Sequence, residues 1–202
     1  MFIARNVPVL LLILLAVIVP AWSHDTPPAQ EAQPAERRQA RIPVRDFSLT
    51  DQSGRTFQFN QLKGKLVLLA FAYTTCPDVC PLITAAMRRV QSGLDAKERN
   101  SVYFLTVTTD PEIDSPNILA GYAKRYGVDH SNWAFLTGDP ESLGAVWKNF
   151  GVKVVRKGRG LVDHTPLIAL IDRQGAARLV YLGPSPDPKA ILRDIRQFLD
   201  RG

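Results

Sequence analysis

An uninterrupted apolar run, Leu66 to Tyr73 (LVLLAFAY), leads directly into Thr74-Thr75-Cys76-Pro77-Asp78-Val79-Cys80-Pro81, and Leu82 to Leu94 then carries a helical pattern. A segment that is apolar at every position suits a strand covered on both faces. Covering both faces calls for helices above and below a sheet. The two cysteines of the chain therefore fall between a buried strand and a helix start. In open α/β sheets that strand edge is where sites collect. Unpaired N–H groups at a helix N-terminus favour the thiolate, the form that binds metal or attacks a disulfide.

Spacing narrows the chemistry. The cysteines stand at i and i+4, which on a regular helix puts their Cβ atoms about 5–6 Å apart. A disulfide wants about 3.5–4.5 Å. A metal with sulfur bonds of roughly 2.3 Å tolerates the wider gap. The spacing leans toward metal binding and away from the two-residue separation of thioredoxins. Pro77 and Pro81 can distort the segment enough to permit a disulfide, so that alternative stays open. A purely structural disulfide here would close a very small loop and gain little loop entropy.

The rest of the pattern fills in the fold class. Phe47–Thr50, a turn at Asp51–Gly54, and Thr56–Phe59 read as a hairpin. Val102–Val107, Trp133–Leu136, Val152–Val155, Leu167–Ile171 and Ala177–Leu182 read as further strands. Helices are predicted from Ser115-Pro116 to near Gly127, from Pro140 to Phe150, and from Asp187-Pro188 to about Leu199. The order predicts one α/β domain, a thioredoxin-like fold with an N-terminal β-hairpin, spanning residues 43–202.

Ahead of that domain lie two segments of different composition. Arg5 precedes an uncharged run of 16 residues, Val7–Trp22, whose end with Ser23 reads Ala21-Trp22-Ser23. Residues 1–23 read as a signal peptide cleaved before His24, or as an uncleaved membrane anchor. Either places the domain outside the cytoplasm, in the periplasm or held at the inner membrane. Residues 24–42 (HDTPPAQEAQPAERRQARI) offer almost nothing to bury and read as a flexible tether. The formal charge of +6 favours anionic membrane surfaces or acidic partners. The basic residues are scattered without aromatic interleaving, so no nucleic-acid partner is expected.

Three histidines exist: His24 in the tether, His130 in a polar loop read as surface, and His164 in Gly160-Leu161-Val162-Asp163-His164-Thr165-Pro166 before a buried strand. In a thioredoxin-like fold that last loop packs beside the cysteine segment. Two thiolates and an imidazole suit three-coordinate Cu(I), Cu(II) with an added oxygen, or tetrahedral zinc. From the residues alone, ligand and surface roles for His164 stand level.

The motifs Leu49-Thr50-Asp51-Gln52 with Gly54, the cysteine segment, Thr109-Asp110-Pro111-Glu112 with Asp114-Ser115-Pro116, and Val162-Asp163-His164 with Leu170-Ile171-Asp172 and Gly175 resemble the Sco/SenC family. The likeness runs from about Phe47 to Leu199. That family comprises copper-binding proteins used in assembling the binuclear copper centre of cytochrome c oxidase. The resemblance implies copper ligands at Cys76, Cys80 and His164, with the metal in either oxidation state. It implies Asp110 behind the ligands, tuning them, unless that residue caps the following helix. Asp78 either completes the coordination, meets the partner or serves only in the turn, and Asp163 holds the His164 loop. The implied partner is the copper-accepting subunit of a membrane cytochrome oxidase, and the implied state is monomeric.

In one respect the sequence departs from the family. Where Ser and a small residue usually follow the histidine, this chain has Thr165-Pro166. Pro166 resembles the cis-proline of thiol-disulfide oxidoreductases; a trans proline opening a strand is the alternative. Two functions are therefore expected to compete: a copper chaperone without turnover, or a thiol-disulfide reductase in which Cys76 attacks, Cys80 resolves and His164 serves as base or charge stabiliser. A peroxidase ranks below both, since the local pattern lacks the arginine such enzymes need. A methionine-type copper carrier is disfavoured, because the chain's only methionines are Met1 and Met87.

Overall fold

The computed structural model describes residues 34–157 and 160–201. The readings for residues 1–23, His24 and most of the tether lie outside these residues. In chain order the elements are β1 (Glu36–Pro43), β2 (Ser48–Asp51), β3 (Thr56–Gln58), β4 (Leu66–Ala72), α1 (Val79–Gly93), α2 (Ala96–Ser101), β5 (Val102–Thr108), α3 (Pro116–Arg125), β6 (Trp133–Thr137), α4 (Pro140–Asn149), β7 (Val154–Arg156), β8 (Val162–His164), β9 (Leu167–Ile171), β10 (Ala176–Leu182) and α5 (Pro188–Asp200).

Eight strands form one sheet in the order β1-β10-β9-β4-β5-β6-β2-β3, and β7 and β8 pair separately. β4, β5 and β6 run parallel. β9 is antiparallel to β4, and β10 to β9. The apolar run explains this centre. All seven residues of β4 are buried, and their alternation divides them between two cores. Val67, Leu69 and Phe71 pack with Leu105, Leu136 and Ala169, under Leu143 and Val146 of α4. Leu66, Leu68 and Ala70 pack with Phe104, Phe135 and Ile168, under Ile83 and Met87 of α1 and Ile191 and Ile195 of α5. Fully burying each large apolar side chain contributes about 1.5–3 kcal/mol. The expected thioredoxin-like α/β arrangement is what the chain adopts, and the β2–β3 hairpin pairs as read.

The tether reading fails over its last residues. Glu36–Pro43 is a strand, pairing antiparallel with β10. Its sequence hides this because an edge strand over a polar rim needs few apolar residues. It is held instead by backbone bonds and by a two-point ion pair, Arg37 Nε and Nη2 donating to Asp194 of α5 at 2.7 and 2.8 Å. Tyr181 donates to the same carboxylate at 2.7 Å. The folded domain therefore begins before residue 43. Three further differences are local. α1 starts at Val79, before the residue expected from its apolar pattern. α2 is too polar and short for periodicity to reveal, but Asp95 and Glu98 form a capping box that starts it. Val162–His164, read as loop, is a strand because it pairs with β7.

Candidate metal and thiol centre

The centre is assembled where β4 ends. Cys80 lies in the first turn of α1, fully buried in a small cluster with Ala72, Tyr73 and Val162, against which Cys76 and Val154 pack. Cys76 precedes the helix and is half-exposed. Its sulfur accepts the backbone N–H of Cys80 at 3.4 Å. Both cysteines are free thiols.

His164 is delivered from across the chain by the β7–β8 hairpin, where it pairs with Val154. Its Nε2 lies 3.4 Å from the Cys80 sulfur. Its Nδ1 lies 3.1 Å from the Thr165 carbonyl oxygen. A carbonyl only accepts, so Nδ1 carries the proton. Burial lowers the histidine's pKa, so the ring is neutral and Nε2 presents a lone pair to the sulfur. The Tyr73 ring meets the imidazole edge-on, with centroids 5.9 Å apart.

The two thiols have opposite character. The Cys76 pKa is lowered to about 5. The Cys80 thiol contributes most by hydrogen-bonding to the Cys76 sulfur, burial opposes it, and the N–H groups of Asp78 and Cys80 and the Tyr73 hydroxyl add to the lowering. Cys80 is pushed up, by its bond to Cys76 and by burial. Burial pushes the Tyr73 hydroxyl up to about 12. Cys76 is thus an open thiolate and Cys80 a sheltered thiol, with the Cys76 sulfur and His164 Nε2 both in reach of its proton.

As a donor set, these residues suit a soft ion. Sulfur and imidazole nitrogen bound to one metal at roughly 2.3 and 2.0–2.1 Å lie about 3.5–3.8 Å apart, close to the 3.4 Å between Cys80 and His164. Among the described residues, no three His, Cys, Asp or Glu side chains are gathered closely enough to form a ligand cage as they stand. The Cys80–His164 pair is close to ligand geometry, while the Cys76 sulfur is engaged by the helix N–H groups. A cleft of about 380 Å³ opens over the centre, lined by Tyr73, Cys76, Asp78, Asp163, His164 and Pro166 among others.

The aspartates take separate places. Asp78 is exposed and precedes α1, where its carboxylate makes no capping bond. Asp163 is exposed and meets Lys157 across the hairpin at 3.6 Å, bracing the element that carries His164. Asp110 is fully buried and accepts from Arg156 Nη2 at 2.5 Å, tying β7 to the end of β5, while its other oxygen has no partner. Its side chain does not cap α3, whose N-cap is Ser115. Pro166 is preceded by a trans bond, so the cis-proline likeness does not hold. His130 is exposed, as read.

Sequence reasoning passed over Asp114. Its buried carboxylate accepts from the Thr74 N–H at 3.2 Å, the Thr74 hydroxyl at 2.5 Å and the Thr108 hydroxyl at 2.5 Å. This fixes the segment two residues before Cys76 to the end of β5. Tyr73 was likewise counted only as apolar strand. No helix among the described residues is long and apolar enough to cross a membrane.

The SCO1/SenC family model matches residues 35–200. A SCO2-like protein of Rickettsia felis is 32% identical over 161 residues, covering 76% of this chain and 74% of that protein. A SCO1/SenC family lipoprotein from Bacillus anthracis is similar in structure, with a TM-score of 0.73, 32% identity, and coverage of 80% and 98% of the two chains. Bradyrhizobium japonicum ScoI, solved with copper bound, has a TM-score of 0.61 at 31% identity, covering 78% of this chain and 99% of its own. BsSco, described as having a disulfide switch and as a member of the Sco family of cytochrome c oxidase assembly proteins, has a TM-score of 0.67 at 30% identity, with coverage of 79% and 95%. On the match to nearly the whole described domain, the chain belongs to the SCO1/SenC family.

Proposed function

We propose that this protein is an extracytoplasmic copper metallochaperone. Cys76 and Cys80 hold one copper ion through sulfur and His164 supplies the third donor. The observation that carries the reading is the 3.4 Å approach of His164 Nε2, lone pair forward, to the buried Cys80 sulfur. Cys76 turns its thiolate from the helix N–H groups toward the ion, and loading releases the Cys80 proton. Asp78, Asp110 and Asp163 act behind the ligands: Asp78 at the mouth, Asp110 and Asp163 through the β7–β8 hairpin. Copper passes by ligand exchange to thiols of the copper-accepting subunit of a membrane cytochrome oxidase.

On this reading the protein works as a monomer, is exported or anchored by residues 1–23, and uses its net charge of +6 to stay near anionic lipid. Titrating the reduced protein with Cu(I) against a strong chelator tests it. Tight one-to-one binding, weakened by His164→Ala, is expected. Binding indifferent to that substitution removes His164 from the site.

A specific observation also favours thiol-disulfide reduction of an acceptor. An open low-pKa cysteine beside a buried high-pKa one is the division of labour between an attacking and a resolving thiol. Rapid reduction of a protein disulfide by protein that binds Cu(I) weakly would select this second activity.

A further inference from the structure

Large apolar side chains are exposed at five positions among the described residues: Leu82, Ile113, Ile118, Val155 and Leu161, each 44–51% accessible. All five lie at the end of the molecule that holds the cysteines. Leu82 is in the first turn of α1, just past Cys80. Ile113 precedes Asp114, whose carboxylate grips Thr74. Ile118 is in the first turn of α3, the helix joined to α1 by the Thr84–Tyr122 hydrogen bond. Val155 pairs with Asp163 beside His164, and Leu161 lines the cleft. Arg156, reaching Asp110 and Glu112, ties the hairpin side of the group to the Ile113 side.

Single exposed apolar residues are ordinary, but their confinement to one end around a reactive centre marks a contact surface. We propose that these five side chains form the docking face for a cysteine-bearing protein partner, apolar around its own thiols, that exchanges with Cys76. The inference rests on the proposed handover to an acceptor and specifies the surface it uses.

The charge pattern favours a protein over a lipid surface. Among the described residues the exposed charges of this rim balance: Asp78, Glu112 and Asp163 stand against Lys153, Arg156 and Lys157. Two of these pairs neutralise each other directly. An anionic bilayer would select an excess of cations.

The test uses the full-length protein in detergent and the reduced, copper-free soluble domain of the oxidase subunit that carries the binuclear copper site. Leu82→Glu with Ile118→Glu is expected to slow Cu(I) delivery to that domain about tenfold, the effect of losing roughly 1.4 kcal/mol of contact. Delivery to a small Cu(I) chelator is expected to stay unchanged. An unchanged rate to the domain overturns the proposal, as does equal slowing toward both acceptors. Weakened binding to phosphatidylglycerol vesicles with normal delivery also overturns it, in favour of lipid.

Should the unaltered protein bind no Cu(I), the metallochaperone reading fails and the face is judged separately, with Cys80→Ser and an oxidised acceptor domain. The Cys76 thiolate attacks the acceptor disulfide. One S–S bond forms, one breaks, and the displaced acceptor sulfur leaves as thiolate. The face requires the same two glutamates to slow this trapping about tenfold while sparing attack on a small aromatic disulfide. Equal rates toward the protein disulfide would remove it.

Discussion

The Cys80 sulfur and His164 Nε2 stand 3.4 Å apart although 84 positions separate them in the chain. The relationship is held from both sides. Cys80 is fixed by the first turn of α1 and His164 by its ladder with Val154 and its Nδ1–H bond to Thr165. Cys76, by contrast, lies outside the helix and is half-exposed.

That asymmetry predicts selective alkylation of the reduced, metal-free protein. With a pKa near 5, Cys76 is thiolate at neutral pH, and iodoacetamide is expected to modify it well below pH 7. The rate should fall as the pH drops through about 5. Cys80, buried and with its pKa raised, should react only on unfolding. Mass mapping after brief labelling at several pH values checks this. Equal labelling of both residues would contradict the assigned roles.

Asp114 is expected to matter to both stability and site geometry. Asp114→Ala strips acceptors from the Thr74 N–H and from the Thr74 and Thr108 hydroxyls, in a pocket closed to water. Unsatisfied buried donors cost about 1–3 kcal/mol each, and partial relaxation leaves a net loss of about 2–4 kcal/mol. Denaturant unfolding should show the loss. Cu(I) affinity should fall at temperatures where the variant is still folded, because the loop bearing Cys76 is no longer fixed. Asp114→Asn, which keeps one acceptor oxygen, should recover part of both.

The reading from sequence succeeded where a local pattern matched a global one. Leu66–Ala72 is apolar throughout because both its faces are covered, so its sequence shows the buried centre of the sheet directly. It failed where stability comes from partners remote in the chain. Nothing within Glu36–Pro43 reveals that Arg37 meets Asp194 or that the backbone finds β10. Asp114 was visible only as part of a motif, since its work depends on Thr74, forty positions away. Likewise Val162–His164 becomes a strand only because Val154–Arg156 lies opposite.

Gly183 offers a test of how the chain entry is packed. Its φ of +123° is one that side chains rarely adopt, and a Cβ there would meet the Ala35 Cα at 3.2 Å. Gly183→Ala combines backbone strain with a clash at the first residues of the domain. A cost of about 1–3 kcal/mol is expected, with faster amide exchange concentrated in Glu36–Gln39. Exchange unchanged in β1 would show that the strand docks without this close crossing.

The anchoring of β1 to α5 predicts an acid-sensitive contribution to stability. Burial of the Asp194 carboxyl opposes ionisation, but the Arg37 guanidinium and the Tyr181 hydroxyl outweigh it and hold the pKa below the ordinary carboxylate value. A depressed folded-state pKa means that the unfolded chain takes up the proton first. The contribution is therefore fully present above the unfolded pKa of about 4, and is lost as pH falls through the lower folded value. Asp194→Ala leaves Arg37 without its fork and Tyr181 without its acceptor, and should cost about 2–3 kcal/mol at pH 7. The difference between the unaltered protein and this variant should shrink on acidification below about pH 4, followed by urea unfolding at stepped pH. A gap that stays constant down to pH 2 would mean that the ionised carboxylate is not what joins the edge strand to the last helix.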